Sequence, residues 1–351
     1  MKRLLSGTIA VGLVGSATLL GSGAANADGE TALIVPGTRE HNGPLKALYH
    51  FDPAWRPQIG ANYYDSANAS KKIVSYPASA WPLSGLDSPT VGETVVVGSD
   101  NLDAEIRNTP GPKVVTALSL GTLVLDEEQA RLATDPNAPP PDELTFVKVS
   151  DPSTVLQRAF KPGTHVPVLD YTVPAPVESQ YDTIQIVSEY DVFADPPDRP
   201  GNLLAAINSV MGQNHSDAAF SNPADLPPPI VTTNSRGATT TTYFIPAGEL
   251  PLTTQFRKWG MPVPVADRLE TVMRPMVDNA YARNDDPGQP PAPKQPAIPL
   301  NLQNLNLPTV NVPSLNVPAV GPGPAAAAPA NPVNLINAGR IVSKLLPGGR
   351  R

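Results

Sequence analysis

The run Lys113-Val114-Val115-Thr116-Ala117-Leu118 constrains the fold more than any other stretch of the chain. Its β-branched and apolar residues suit a strand buried on both faces, the kind found inside a parallel sheet. Ser119 follows at once, and the pattern of Leu120–Leu132 predicts a helix. A chain that passes from strand to helix through one serine must bend sharply. The bend lifts the hydroxyl above the sheet, which is the layout of a nucleophile elbow. The local pattern is Ala117-Leu118-Ser119-Leu120-Gly121, with alanine where G-x-S-x-G has its first glycine. A serine in this position also serves in many proteins as a plain helix N-cap, so the reading depends on what lies further along the chain.

Further strands place that unit in a larger α/β domain. Thr31–Val35 is a continuous apolar run ending at Pro36-Gly37, Lys72–Tyr76 is a second closed by Pro77, and Leu144–Val149 and Thr183–Ser188 are two more. Helical patterns lie between them, including Val91–Arg107 ahead of the elbow strand. Strands separated by helices imply right-handed crossovers and a mostly parallel sheet flanked by helices. Chemistry in such sheets gathers at the carboxyl ends of the strands, where Gly37-Thr38, Ser119, Asp191 and Asp195 all fall.

An acid and a histidine come later, in one block. Ile184–Asp191 is a strand running into an acid, Val192-Phe193-Ala194-Asp195-Pro196-Pro197 follows, and a helix over Asn202–Met211 leads to His215. A serine hydroxyl becomes nucleophilic when an imidazole takes its proton, and a carboxylate must hold that imidazole in the right tautomer. The order serine, aspartate, histidine is that of α/β-hydrolases. Asp191, at the strand end, occupies the commoner place for the acid. Asp195 is the alternative, with turn-making before two prolines as its structural reading. His41, His50 and His165 all precede the acid strand, which leaves His215 as the base. The oxyanion donors expected with this arrangement are the amide of Leu120 and that of Thr38 in the loop after the first strand. The histidines show no metal-ligand spacing, and neither a metal nor another cofactor is expected.

The ends of the chain read differently. Residues 1–27 carry a basic start, an apolar Leu4–Leu20 and Ala25-Asn26-Ala27, a secretory signal pattern with the mature chain expected to begin at Asp28. An uncleaved anchor is the alternative, because Leu4–Leu20 approaches the shortest bilayer span of about 17 residues. Cysteine is absent, so an exported chain of this kind relies on its own core. Residues 284–351 turn into Leu-Pro, Val-Pro and Ala-Pro repeats that cannot bury a core, a Pro-rich tail with a short amphipathic helix expected over Val333–Leu346. The formal charge is −7 and becomes more negative without Lys2 and Arg3. That balance speaks against a nucleic-acid or anionic-lipid surface and for a neutral substrate.

The domain, expected over residues 28–283, resembles a known family. Ser188–Asn208 (S-E-Y-D-V-F-A-D-P-P-D-R-P-G-N-L-L-A-A-I-N), Thr241–Leu252 (T-T-Y-F-I-P-A-G-E-L-P-L) and Val265–Arg283 are similar to the corresponding blocks of the mycobacterial PE-PPE domain. Tyr76-Pro77-Ala78-Ser79 resembles cutinases. No PE or PPE helical module is expected ahead of the domain, where the signal-like segment stands. The resemblance implies an α/β-hydrolase with a Ser119-Asp191-His215 triad acting on acyl esters, and the residues Phe220–Pro229 with the hairpin Ile230–Ile245 are expected to form a lid beside the histidine. It further implies a likeness to the acyltransferases that build acylated trehalose lipids. The substrate it implies is an acyl-ester lipid or glycolipid, handled at the cell envelope or a membrane. A plain cutinase-like esterase and a non-catalytic envelope-binding protein are the competing readings.

Overall fold

A computed structural model describes residues 29–39, 52–212 and 214–285. The signal-like segment, His41, His50 and the Pro-rich tail from residue 286 lie outside the described residues. In chain order the elements are β1 (Thr31–Val35), β2 (Ser70–Ile73), α1 (Val91–Asn108), β3 (Lys113–Leu118), α2 (Leu120–Leu132) and β4 (Leu144–Val149). There follow α3 (Ser153–Ala159), the two-residue strands β5 (His165–Val166) and β6 (Tyr171–Thr172), β7 (Thr183–Ser188), α4 (Leu203–Val210) and α5 (Asn214–Asp217). The last are β8 (Ile230–Thr233), β9 (Thr239–Ile245), α6 (Pro251–Lys258) and α7 (Val263–Asp278).

Among the described residues, seven strands form one sheet in the order β2-β1-β3-β4-β7-β9-β8. Every pairing is parallel except β8 with β9, an antiparallel edge hairpin. The mostly parallel α/β sheet flanked by helices that the sequence leads one to expect is therefore present. Two details differ from expectation. The second strand begins at Ser70 and is exposed along its length, as an edge strand is, so apolar patterning did not mark its start. The hairpin Ile230–Ile245, expected beside the histidine as part of a lid, extends the sheet instead. Its Thr-Thr-Thr-Thr-Tyr-Phe-Ile strand is rich in β-branched and aromatic residues and pairs with β7 over Thr183–Ser188.

The alternation of β3 divides the core. Leu33, Val35, Val115, Ala117 and Phe146 pack on one face with Leu102 and Ile106 of α1 and Leu123, Val124 and Leu125 of α2. Ala32, Ile34, Val114, Leu118, Val147 and Ile186 pack on the other face with Ile59, Ala218 and Ala219. Among the described residues, that second face is covered by short turns and the segment after α5. A satellite cluster of Leu204, Leu250, Leu269, Met273, Val277 and Tyr281 joins α4, α6 and α7. Helix α1 starts with a capping box, Glu93 N donating to Thr90 Oγ1 at 3.1 Å and Thr90 N to Glu93 Oε2 at 2.8 Å.

The strand order puts the topological switch between β1 and β3. From β1 the chain moves to β2 on one side and then to β3 on the other, so the loops leaving β1 and β3 diverge and open a crevice at their carboxyl ends.

Candidate active site

Ser119 stands in that crevice. It is the one residue between β3 and α2, with φ 53° and ψ −124°, a conformation that non-glycine residues rarely adopt. Its amide donates to Val149 O at 2.9 Å, and its carbonyl accepts from Thr122 N at 2.8 Å. The backbone is thereby held on both sides of the serine, whose side chain remains partly exposed.

Gly121 makes the tight turn possible. A Cβ there would collide with Val35 O and approach Pro36 O to 2.8 Å, so only glycine lets the first turn of α2 reach the end of β1. Ala117 fits the position where glycine is usual, because its methyl is fully buried in the core beneath α1 and α2.

The loop after β1 closes against the serine. A Cβ on Gly37 would lie 3.3 Å from Ser119 Cβ, which places the Gly37-Thr38 backbone beside the hydroxyl. The loop is pinned from the far side: the Tyr76 hydroxyl donates to Pro36 O, Arg39 N donates to Ala78 O at 2.8 Å, and Arg39 Nη2 donates to Tyr76 O at 3.1 Å. Complete burial pushes the Tyr76 phenol well above its ordinary pKa, so it remains a donor. Leu120 is the first residue of α2, and its amide belongs to the group of helix N-terminal N–H donors that lack an intrahelical acceptor.

The acid and the histidine meet on the other side of the site. Asp191, 1% exposed, places Oδ2 2.8 Å from His215 Nδ1 and accepts from Phe193 N on Oδ1 at 3.0 Å. A carboxylate at Nδ1 fixes the proton there and leaves Nε2 as the basic nitrogen. Phe193 packs its ring on the imidazole at a centroid distance of 5.0 Å.

Asp195 does something else. Its Oδ2 accepts from Tyr190 N at 2.8 Å and its Oδ1 from Arg283 Nη1 at 2.8 Å, while its own amide donates to Asp191 O at 2.7 Å. Burial pushes its carboxyl up to about 6 against the pull of Arg283. Of the two candidate acids the histidine pairs with Asp191, and Asp195 braces the loop that carries it. Arg283, which sequence reasoning passed over, also bonds Glu189 at 3.1 Å and lies 4.2 Å over the Tyr281 ring.

The two halves join at the end of β4. Val149 O receives the Ser119 amide, and Ser150 Oγ donates to the carbonyl of His215 at 2.8 Å. Nothing in the sequence signalled Ser150, which reads as an ordinary strand-end residue. The tryptophans take different positions: Trp55 is 41% exposed and edge-on to Phe220, Trp259 is 53% exposed against Phe256, and Trp81 is half-buried. His165 is exposed in β5. No cluster with metal-ligand character occurs among the described residues, and no helix among them is long and apolar enough to cross a membrane.

The PE-PPE domain model matches residues 67–282, and the chain belongs to that family. It is similar to SL1278 acyltransferase Chp1 of Mycobacterium tuberculosis (strain ATCC 25618 / H37Rv), 56% identical over 83% of this chain and 72% of the relative. Diacyltrehalose acyltransferase Chp2 of the same organism is 41% identical over 82% of this chain and 89% of the relative. Esterase PE16, also from that organism, is 30% identical over 76% of this chain and 50% of its own length.

Proposed function

With PE-PPE membership as the premise, we propose that the protein is a serine acyltransferase with esterase activity that acts on acylated trehalose-type glycolipids. Ser119 is its nucleophile, His215 its base and Asp191 the acid that orients the base. The observation that carries the reading is the conjunction of a strained serine between β3 and α2 with a buried Asp191–His215 pair at 2.8 Å. The names of the two acyltransferase relatives support the substrate class, and Ala25-Asn26-Ala27 supports export to the envelope.

Ser119 Oγ attacks the ester carbonyl of an acyl donor as its proton passes to His215 Nε2. The tetrahedral oxyanion is met by the amides of Leu120 and Thr38. Collapse breaks the bond to the donor oxygen, which leaves with the proton from His215, and an acyl group remains on Ser119. A sugar hydroxyl then repeats these steps in reverse, giving its proton to His215 and taking the acyl group. Water in place of the sugar makes the same machinery an esterase, a reading favoured by the similarity to PE16.

Two measurements test the proposal. A fluorophosphonate probe labels the wild type, and Ser119→Ala abolishes both labelling and turnover of short p-nitrophenyl esters with an almost unchanged melting curve. Full activity in that variant removes the mechanism. Incubation with a diacyltrehalose, followed by mass spectrometry, yields more highly acylated trehalose if transfer dominates. Free fatty acid alone, insensitive to the acceptor concentration, identifies a plain esterase.

A further inference from the structure

The carboxyl end of β4 holds features that the acyl-transfer chemistry itself does not use. Ser150 is fully buried and sits at φ 52°, a second non-glycine residue in the left-handed region one strand away from Ser119. Its amide donates to Ile186 O on β7 at 2.9 Å, and its hydroxyl donates to the main-chain carbonyl of His215 at 2.8 Å. The preceding residue, Val149, accepts the amide of Ser119. The following residue, Asp151, is 2% exposed and grips the first turn of α2: its Oδ1 lies 2.9 Å from Thr122 Oγ1 and accepts from Ser153 N at 2.9 Å.

Asp151 is held in turn by a buried cation. Lys148 Nζ lies 2.5 Å from Asp151 Oδ2 and 2.5 Å from Asp126 Oδ1 on α2. Burying three ionisable groups costs several kcal/mol per ion before their attraction is counted, and apolar replacements of such groups are often neutral for stability. A cluster of this kind is therefore poorly explained as a source of stability and better explained by the geometry it fixes.

We propose that Ser150 is a positioning residue for His215, and that Asp151 with Lys148 does the same for the turn carrying Ser119. The end of β4 would thus set the serine and the imidazole relative to each other. The inference rests on the triad reading given above. The serine hydroxyl and His215 Nε2 sit on separate segments, and β4 is the strand that bonds to the main chain of both. Displacing the His215 backbone by a fraction of an ångström moves Nε2 off the path of the proton, and small misplacements of reacting groups are costly in rate.

Ser150→Gly is the informative variant. Glycine takes φ 52° without strain, so relief of backbone strain offsets the lost hydrogen bond and the fold is retained. The expected result is a fall of 10- to 100-fold in kcat for a short p-nitrophenyl ester and in the rate of fluorophosphonate labelling, with KM within twofold and Tm within a few degrees of wild type. Thr122→Val, which removes the hydroxyl that links Asp151 Oδ1, at 2.9 Å, to the Ser119 carbonyl, at 2.7 Å, while keeping the side-chain shape, is expected to slow labelling in the same way and serves if Ser150→Gly does not fold. Wild-type labelling rates in a well-folded Ser150→Gly or Thr122→Val overturn the proposal. So does a loss of rate that merely tracks the loss of folded protein. Absence of labelling in the wild type, or its persistence in Ser119→Ala, would instead overturn the triad reading, so the two failures are distinguishable.

Discussion

Replacing each aspartate of the Asp191–Asp195 loop by asparagine separates an orienting role from a bracing one, because the two changes act on different measurements. In Asp191→Asn the amide of Phe193, 3.0 Å from Oδ1, selects the carboxamide oxygen, which turns the NH2 group toward His215 Nδ1 at the 2.8 Å position. A donor facing Nδ1 requires a lone pair there, so the ring proton moves to Nε2 and the base is blocked. The expected loss in kcat is about 10⁴-fold, or roughly 5 kcal/mol of barrier. Both groups keep hydrogen-bonding partners, so Tm changes little. In Asp195→Asn a single carbonyl oxygen must serve both Tyr190 N and Arg283 Nη1, each 2.8 Å from a carboxylate oxygen. One charge-assisted bond is lost at about 1.5–3 kcal/mol, and Tm falls by roughly 3–12 °C. Arg283 retains Glu189 and the Tyr281 ring, so the loop stays in place and kcat falls tenfold or less. The assay is ester hydrolysis at pH 8, above the value near 6 to which burial pushes Asp195, alongside calorimetry on the same preparations. A larger kcat loss in Asp195→Asn than in Asp191→Asn would refute the assignment of the orienting acid.

Two further outcomes follow from buried contacts. Gly121→Ala drives a methyl group into the Val35 carbonyl and to 2.8 Å from Pro36 O, and main-chain atoms cannot move aside as a flexible side chain would. It is expected to cost about 1–3 kcal/mol, read as Tm, and to slow fluorophosphonate labelling by displacing the turn at Ser119. Glu128, fully buried on α2, has both carboxylate oxygens without a hydrogen-bond partner, and burial, then the negative charge of Asp103, push its carboxyl up from 4.5 to about 8. The folded state therefore holds this proton after the unfolded chain has released it, so its effect is to lower stability as pH rises from 4.5 to 8, by up to about 5 kcal/mol. Glu128→Gln is expected to flatten that dependence and raise Tm at pH 8; an unchanged pH profile of Tm would contradict it.

How far the sequence could be read depended on whether a feature was local. Strands β3, β4 and β7 and helix α2 have the bounds that apolar patterning indicates, because each is a continuous run bordered by turn residues or a helix start. Ser119 was legible for the same reason, and Gly121 explains itself once α2 is seen against the end of β1. The order of acid and histidine pointed to His215 but left two aspartates open. His215 contacts Asp191 across 24 residues, and Asp195 is held by an arginine 88 residues away, neither of which a local pattern encodes. The edge hairpin was misplaced because its composition reports a strand without reporting its partner, and pairing with β7 is a tertiary fact. Ser150 and the Lys148 cluster were missed because a serine after a strand and a lysine within one carry no signal until the neighbouring strands are in place.

Three adjacent strands leave the sheet through non-glycine residues of positive φ: Ser119 after β3 at 53°, Ser150 after β4 at 52°, and Tyr190 after β7 at 61°. Each such residue costs on the order of 1–3 kcal/mol and persists only when its surroundings impose it. Here the imposing contacts are visible. Ser119 N is fixed by Val149 O, Ser150 N by Ile186 O, and Tyr190 N by the Asp195 carboxylate. The first two are ladder bonds carried one residue beyond the strand, so each sharp exit begins from a backbone already tied to its neighbour. The third turn delivers Asp191, the second meets the His215 carbonyl, and the first presents the serine. Positive φ at these three strand ends thus falls on the proposed nucleophile itself, on the serine that bonds the His215 carbonyl, and on the residue that precedes Asp191.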